Sequence, residues 1–160
     1  MRQGRAEEFK DFQWSGTPPD PQDEKTFTDS KLNWDLRTAG EHQKMLALYR
    51  ELLRLRRTLP PLRVLDKDRV QAQNWNSDTI LTVHRWYRNQ EVLFIGNFQD
   101  QKQTWTARDL KQPWSLLVDS SQEKWSGPGG QAPEFLEQAT PITLMPWSFV
   151  LYAQGLSQEK

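Results

Sequence analysis

A proline pair at Pro60-Pro61 divides this chain into two kinds of periodicity, and few folds accommodate both. Before it, Met45, Leu48, Tyr49, Leu52, Leu55 and Leu59 recur at the i, i+3, i+4, i+7 spacing of an amphipathic helix, predicted from Gly40 to Leu59. Glu41 in the first turn and Arg54, Arg56 and Arg57 near the end complement the helix dipole. The prolines stop that helix, because they remove amide donors and clash with the preceding turn. After them the period falls to two. Arg69 to Asn74 alternates, with Val70 and Ala72 on one face and Gln71 and Gln73 on the other. Thr79 to Tyr87 and Glu91 to Phe98 are β-rich runs joined at Arg88-Asn89-Gln90, a predicted hairpin. Shorter strands are expected at Gln103–Thr106, Trp114–Val118, Thr140–Leu144 and Trp147–Ala153, with a loop at Ser126-Gly127-Pro128-Gly129-Gly130. Roughly six or seven short strands with turns between them predict an antiparallel β-sandwich. The fold expected is mainly β with an N-terminal helical segment.

The first 34 residues behave differently again. Met1 to Phe12 has Phe9 and Phe12 on one face of a short predicted helix. Pro18, Pro19 and Pro21 then exclude regular structure from the loop around Asp20, Gln22 and Asp23. This is no Gly/Ser linker: it carries Trp14, Phe27, Leu32 and Trp34, side chains that gain by packing on a surface. Leu32 and Trp34 are expected to anchor the loop's exit. A rigid, aromatic-bearing loop at the start of the chain suggests the tail of a larger protein.

Two motifs carry a family resemblance. The run R-x-G-R-x-x-E-F holds Arg2, Gly4, Arg5, Glu8 and Phe9, and PDPQD-x-x-TF-x-x-SKL-x-W extends from Pro19 to Trp34. With ALYRELLRLRR from Ala47 to Arg57, they resemble the maltooligosyltrehalose trehalohydrolases, α-amylase-type members of family 13 of the glycoside hydrolases. Later segments, IGNF at Ile95–Phe98 and the terminal PITLMPWSFVLY, are less specific. The resemblance implies that residues 1–61 are the last loop and helix of a catalytic (β/α)8 barrel, 62–155 a C-terminal β-sandwich, and 156–160 a frayed tail. It implies a parent enzyme that hydrolyses the α-1,4 bond next to a terminal trehalose unit, acting on maltooligosaccharide chains. The partner implied is that barrel, since 160 residues cannot hold both a sandwich and a barrel of about 250 residues. In such enzymes the catalytic carboxylates sit at the ends of barrel strands, which the resemblance puts upstream of Met1, so no catalytic residue is assigned to this chain. The loop would lie on the barrel's substrate face, making Asp20, Gln22 and Lys31 candidate hydrogen-bonding contacts to glucose, and Trp14 and Trp34 candidate stacking platforms. The competing reading of the two carboxylates is local: Asp closes its own turn.

Composition narrows the remaining chemistry. Basic and acidic residues balance at 21 each without blocks of like sign, which argues against partners recruited by charge, nucleic acid and membrane surfaces included. Cysteine is absent, so neither disulfides nor a thiolate nucleophile arise, and a cytoplasmic setting is expected. His42 and His84 lack carboxylates at ligand spacing, and Asp66 and Asp68 are followed by Lys67 and Arg69 rather than further oxygen ligands, so no metal site is predicted. Ser120, Ser121 and Ser126 have no nucleophile elbow, and the glycine loop lacks the Lys of a phosphate loop. No cofactor is implied.

Eight tryptophans stand out, and they suit either a β core of large side chains or stacking on sugar rings. An alternative function follows, an independent carbohydrate-binding module in which Trp75, Trp105, Trp114 and Trp125 form a platform. A third reading is self-association through the apolar face of residues 45–59.

Overall fold

The computed structural model describes residues 19–76, 79–108, 110 and 112–156. The expected Met1–Phe12 helix and the frayed residues 157–160 lie outside them. The chain divides into two compact units, Met1–Leu36 and Arg37–Lys160.

In the first unit a short helix, α1 (Glu24–Asp29), follows the prolines where the sequence suggests only loop. Asp23 supplies its N-cap, and its carboxylate accepts the Lys25 amide at 2.9 Å. The helix has no buried residue. The Thr28 hydroxyl donates to the Glu24 and Lys25 carbonyls and the Ser30 hydroxyl to that of Thr26, local bonds that compensate for a helix too short to be stable by propensity alone. Leu32 and Trp34 do not bury themselves at the loop's exit. They are 73% and 60% exposed, because the described part of this unit offers no core to receive them.

The second unit begins with the predicted long helix, α2 (Gly40–Thr58). Pro60 and Pro61 do end it, and then start a one-turn helix, α3 (Pro60–Arg63). The first turn of a helix needs no amide donors from those positions. Eight strands follow among the described residues: β1 (Val70–Trp75), β2 (Ile80–Tyr87), β3 (Gln90–Asn97), β4 (Gln103–Thr106), β5 (Trp114–Asp119), β6 (Phe135–Leu136), β7 (Pro141–Leu144) and β8 (Phe149–Gln154). The architecture is mainly antiparallel β sheet with a helical segment toward the N-terminus, and the sandwich is unequal. One sheet has six strands in the order β1-β2-β3-β8-β5-β6, and the other only β4 and β7.

Register follows from the hairpin. Tyr87 pairs with Gln90 across a two-residue turn, so His84 lies opposite Leu93 and Thr82 opposite Ile95. β8 then inserts between β3 and β5, which places Tyr152 beside both Leu93 and Leu116. A bulge between Leu116 and Val118 turns the end of β5 to the other face.

Each face of the large sheet has its own core. Ile80, Ile95, Val150 and Tyr152 pack toward the small sheet, against Trp105, Ile142 and Leu144. Val92, Val118, Leu151 and Ala153 point the other way and pack with Leu48 and Leu55 of α2. Arg85 reaches back from β2 to donate to the Val64 carbonyl at 2.8 Å, tying the segment after α3 to the sheet. The helical stripe read from sequence therefore splits. Leu48 and Leu55 are buried, with Leu52 and Leu59 beside them, whereas Met45 and Tyr49 are 46% and 60% exposed.

Candidate functional site

Trp14 lies outside the described residues. The Asp20 carboxylate accepts the Gln22 amide at 3.0 Å and its carbonyl accepts the Asp23 amide at 3.1 Å, so Asp20 closes a turn. Gln22 is exposed on that turn. The Lys31 ammonium lies 4.6 Å from the centre of the Phe27 ring. Trp34 opens a turn of 3-10 helix, Trp34–Thr38, and remains mostly exposed.

The cleft belongs to the unequal sandwich. Two strands cannot cover the face of six, and where the small sheet stops the large sheet stays open. The result is a concavity of about 610 Å³. Its floor is a polar continuation of the core face. Gln71 and Gln73 on β1 lie opposite His84 and Thr82 on β2, and directly opposed residues share a face. Glu91 and Gln154, also opposite one another, extend the floor across β3 and β8.

The walls are aromatic. Trp75 and Trp105 meet edge to face, 6.3 Å apart with an interplanar angle of 82°. The Trp75 indole donates to the Thr82 hydroxyl at 2.9 Å. Trp105, 8% exposed, has a buried indole N–H without a hydrogen-bond partner. Trp114 closes the far wall with its ring 5.7 Å from that of His84. His84 Nε2 in turn lies 2.6 Å from Glu91 Oε2. The sequence predicts a surface or satisfied histidine, and this is the satisfied case. Its partner was legible in principle: a two-residue hairpin turn makes Glu91 the diagonal neighbour of His84.

The expected tryptophan platform does not form as a single exposed row. Trp105 and Trp114 are buried, Trp75 is half-buried, and Trp125 packs with the cluster on the opposite face of the sheet. Among the described residues no group of three or more His, Asp or Glu side chains gathers where a metal ion could be held.

A second surface lies on α2. Away from the sheet, Met45, Tyr49 and Leu53 are each about half exposed or more. Shallow hollows flank them, one along Leu46, Ala47 and Arg50, the other along Leu53, Arg54 and Arg57. The helix is thus apolar on two sides, and only one has a partner among the described residues of its unit.

Comparison with known proteins defines the class first. A putative α-amylase from Salmonella typhimurium superposes on 96% of this chain, and on 23% of its own, with a TM-score of 0.62 and 25% identity. The isomaltulose synthase PalI from Klebsiella sp. LX3 matches 74% of the chain and 19% of its own with a TM-score of 0.52 at 21% identity, a likeness of fold. The fold is therefore that of a β domain carried by α-amylase-type enzymes.

Sequence likeness is narrower and more specific. A malto-oligosyltrehalose trehalohydrolase from Deinococcus radiodurans is 56% identical over 64 residues, covering 39% of this chain and 11% of the relative. The enzyme of the same name from Rhizobium sp. (strain M-11) is 49% identical over 61 residues, covering 38% and 10%. The chain is similar to a C-terminal segment of these hydrolases, and it spans about a tenth of their length. No family model matches the chain.

Proposed function

We propose that this chain acts as the non-catalytic C-terminal part of a glycoside hydrolase that releases trehalose from maltooligosyltrehalose. The observation that carries the reading is the 49–56% identity, over about 60 residues, to relatives named for that reaction. Its role is to cap a (β/α)8 barrel. The exposed Met45, Tyr49 and Leu53 side of α2 supports this: a helix packed on its own sheet through Leu48 and Leu55 still offers an apolar face to a second body. The loop of Asp20, Gln22, Lys31 and Trp34 would contact α-glucan at the substrate face, with Trp14 as a further platform. Since Asp20 and Asp23 already close a turn and cap a helix, Lys31 and Trp34 are the stronger candidates of the group.

The test is trehalose release from maltooligosyltrehalose, measured with the chain alone and with the upstream barrel supplied. Silence of the chain alone and activity of the reconstituted pair is the expected result. Turnover by the chain alone would overturn the reading and make Asp20, Asp23 and Glu24 the first residues to replace. Sedimentation of the chain alone gives the competing behaviour its chance, because self-association through the same face of α2 would appear as dimers abolished by Leu53→Asp.

A further inference from the structure

The cleft between the unequal sheets is not needed for capping a barrel, and its lining has a composition of its own. Gln71, Gln73 and Gln154 place three amides on or beside one floor, each able both to donate and to accept. Three indoles supply the walls. The formal charges nearly cancel, with Glu91 beside His84 and Arg108 at the exposed rim.

That combination selects by elimination. An anionic ligand needs several converging cations, and the described lining offers one guanidinium. A purely apolar ligand would strip water from the floor amides without replacing their hydrogen bonds, which is unfavourable. A ligand with hydroxyls around an apolar ring face satisfies both walls and floor. Its size also fits, since about 610 Å³ lies within the roughly 300–1,000 Å³ range of small-molecule sites.

The geometry points to a saccharide-binding site in this cleft, one that takes a short neutral glycan with its ring against the half-buried Trp75 and its hydroxyls on Gln71, Gln73 and Gln154. The site differs from an exposed platform because the sugar would enter a groove. It also stands apart from the barrel-capping reading, since every residue named lies in the Arg37–Lys160 unit and on the sheet face opposite α2.

The experiment is titration of the full chain with maltotriose, followed by indole N–H resonances in two-dimensional NMR. Saturable shifts at Trp75, Trp105 and Trp114, with Trp34 and Trp147 unmoved, are expected at millimolar sugar. Gln71 and Gln73 are exposed on the edge strand β1, so the double variant Q71A/Q73A should keep the fold and weaken binding about tenfold, or ~1.4 kcal/mol. Three outcomes overturn the proposal: no saturable shift, unchanged affinity in the double variant, or equal competition by inorganic phosphate, which would mark an anion site. This binding is read without any barrel, so its failure would leave the trehalose-release assay unaffected, and the reverse holds.

Discussion

Gly155, Asn97 and Tyr152 each answer a constraint set by their immediate surroundings. Gly155 follows β8 with φ near +70°, and a Cβ there would run into the Asn89 carbonyl oxygen of the β2–β3 turn. Both the backbone angle and the close approach require glycine. Gly155→Ala should lower stability by about 1–3 kcal/mol in urea unfolding. Asn97, 2% exposed, donates to the Gln101 and Met145 carbonyls at 2.8 and 2.9 Å and accepts the Gln99 amide at 3.0 Å. Asn97→Leu strands the buried Met145 carbonyl, a loss expected to cost about 1–3 kcal/mol, measured in the same way. Tyr152 is fully buried and donates to the Pro133 carbonyl at 2.8 Å. Burial, reinforced by the Asp119 carboxylate, holds its phenol well above the ordinary value near 10. The folded state therefore favours the neutral phenol. Its contribution is complete below pH about 10 and is lost as pH rises beyond the unfolded value. Stability on the alkaline limb should fall less steeply in Tyr152→Phe than in the parent chain, as denaturant melts across that pH range would reveal.

At the scale of elements, α2 is the clearest case of a helix with two apolar sides. Leu55, 3% exposed against the sheet, should lose about 2–5 kcal/mol on replacement by alanine. Leu53, 50% exposed, should lose no more than about 0.5 kcal/mol in the isolated chain, while weakening any complex with the barrel. Thermal melts and a pull-down on the two variants separate these roles. The helix itself was legible: its predicted start at Gly40 and its stop before Pro60 match the structure within a residue. Its buried face was not. Positions 45, 48, 49, 52, 55 and 59 form one broad stripe in sequence, and only the packing of β8 and β3 beneath it divided that stripe at Tyr49. The hairpin and the strands at 103–106 and 114–119 were equally readable from alternation and turn residues. β6 was not, because Phe135–Leu136 is a two-residue strand held by pairing with Trp114 and Ser115 and carries no period of its own.

For the whole molecule, the segment of residues 19–36 and the sheet unit contrast in burial. The segment has no fully buried residue, and Phe27, Leu32 and Trp34 stand at 60% exposure or more. Limited trypsinolysis should cut first after Lys25 or Lys31 and leave the sheet unit intact by mass spectrometry; resistance there would count against the proposal that this segment packs on a barrel. By itself the sequence determined the periods: a long helix closed by prolines, then short antiparallel strands, with a loop whose carboxylates turn the chain locally. Each of those signals is carried by residues within one or two turns of each other. Tertiary structure alone decided that β8 lies between β3 and β5, that six strands face two, and hence that Gln71, His84, Glu91, Trp105 and Trp114 border one cleft. Those residues are brought together by pairings between distant strands, and a local pattern cannot specify how much of one sheet another will cover.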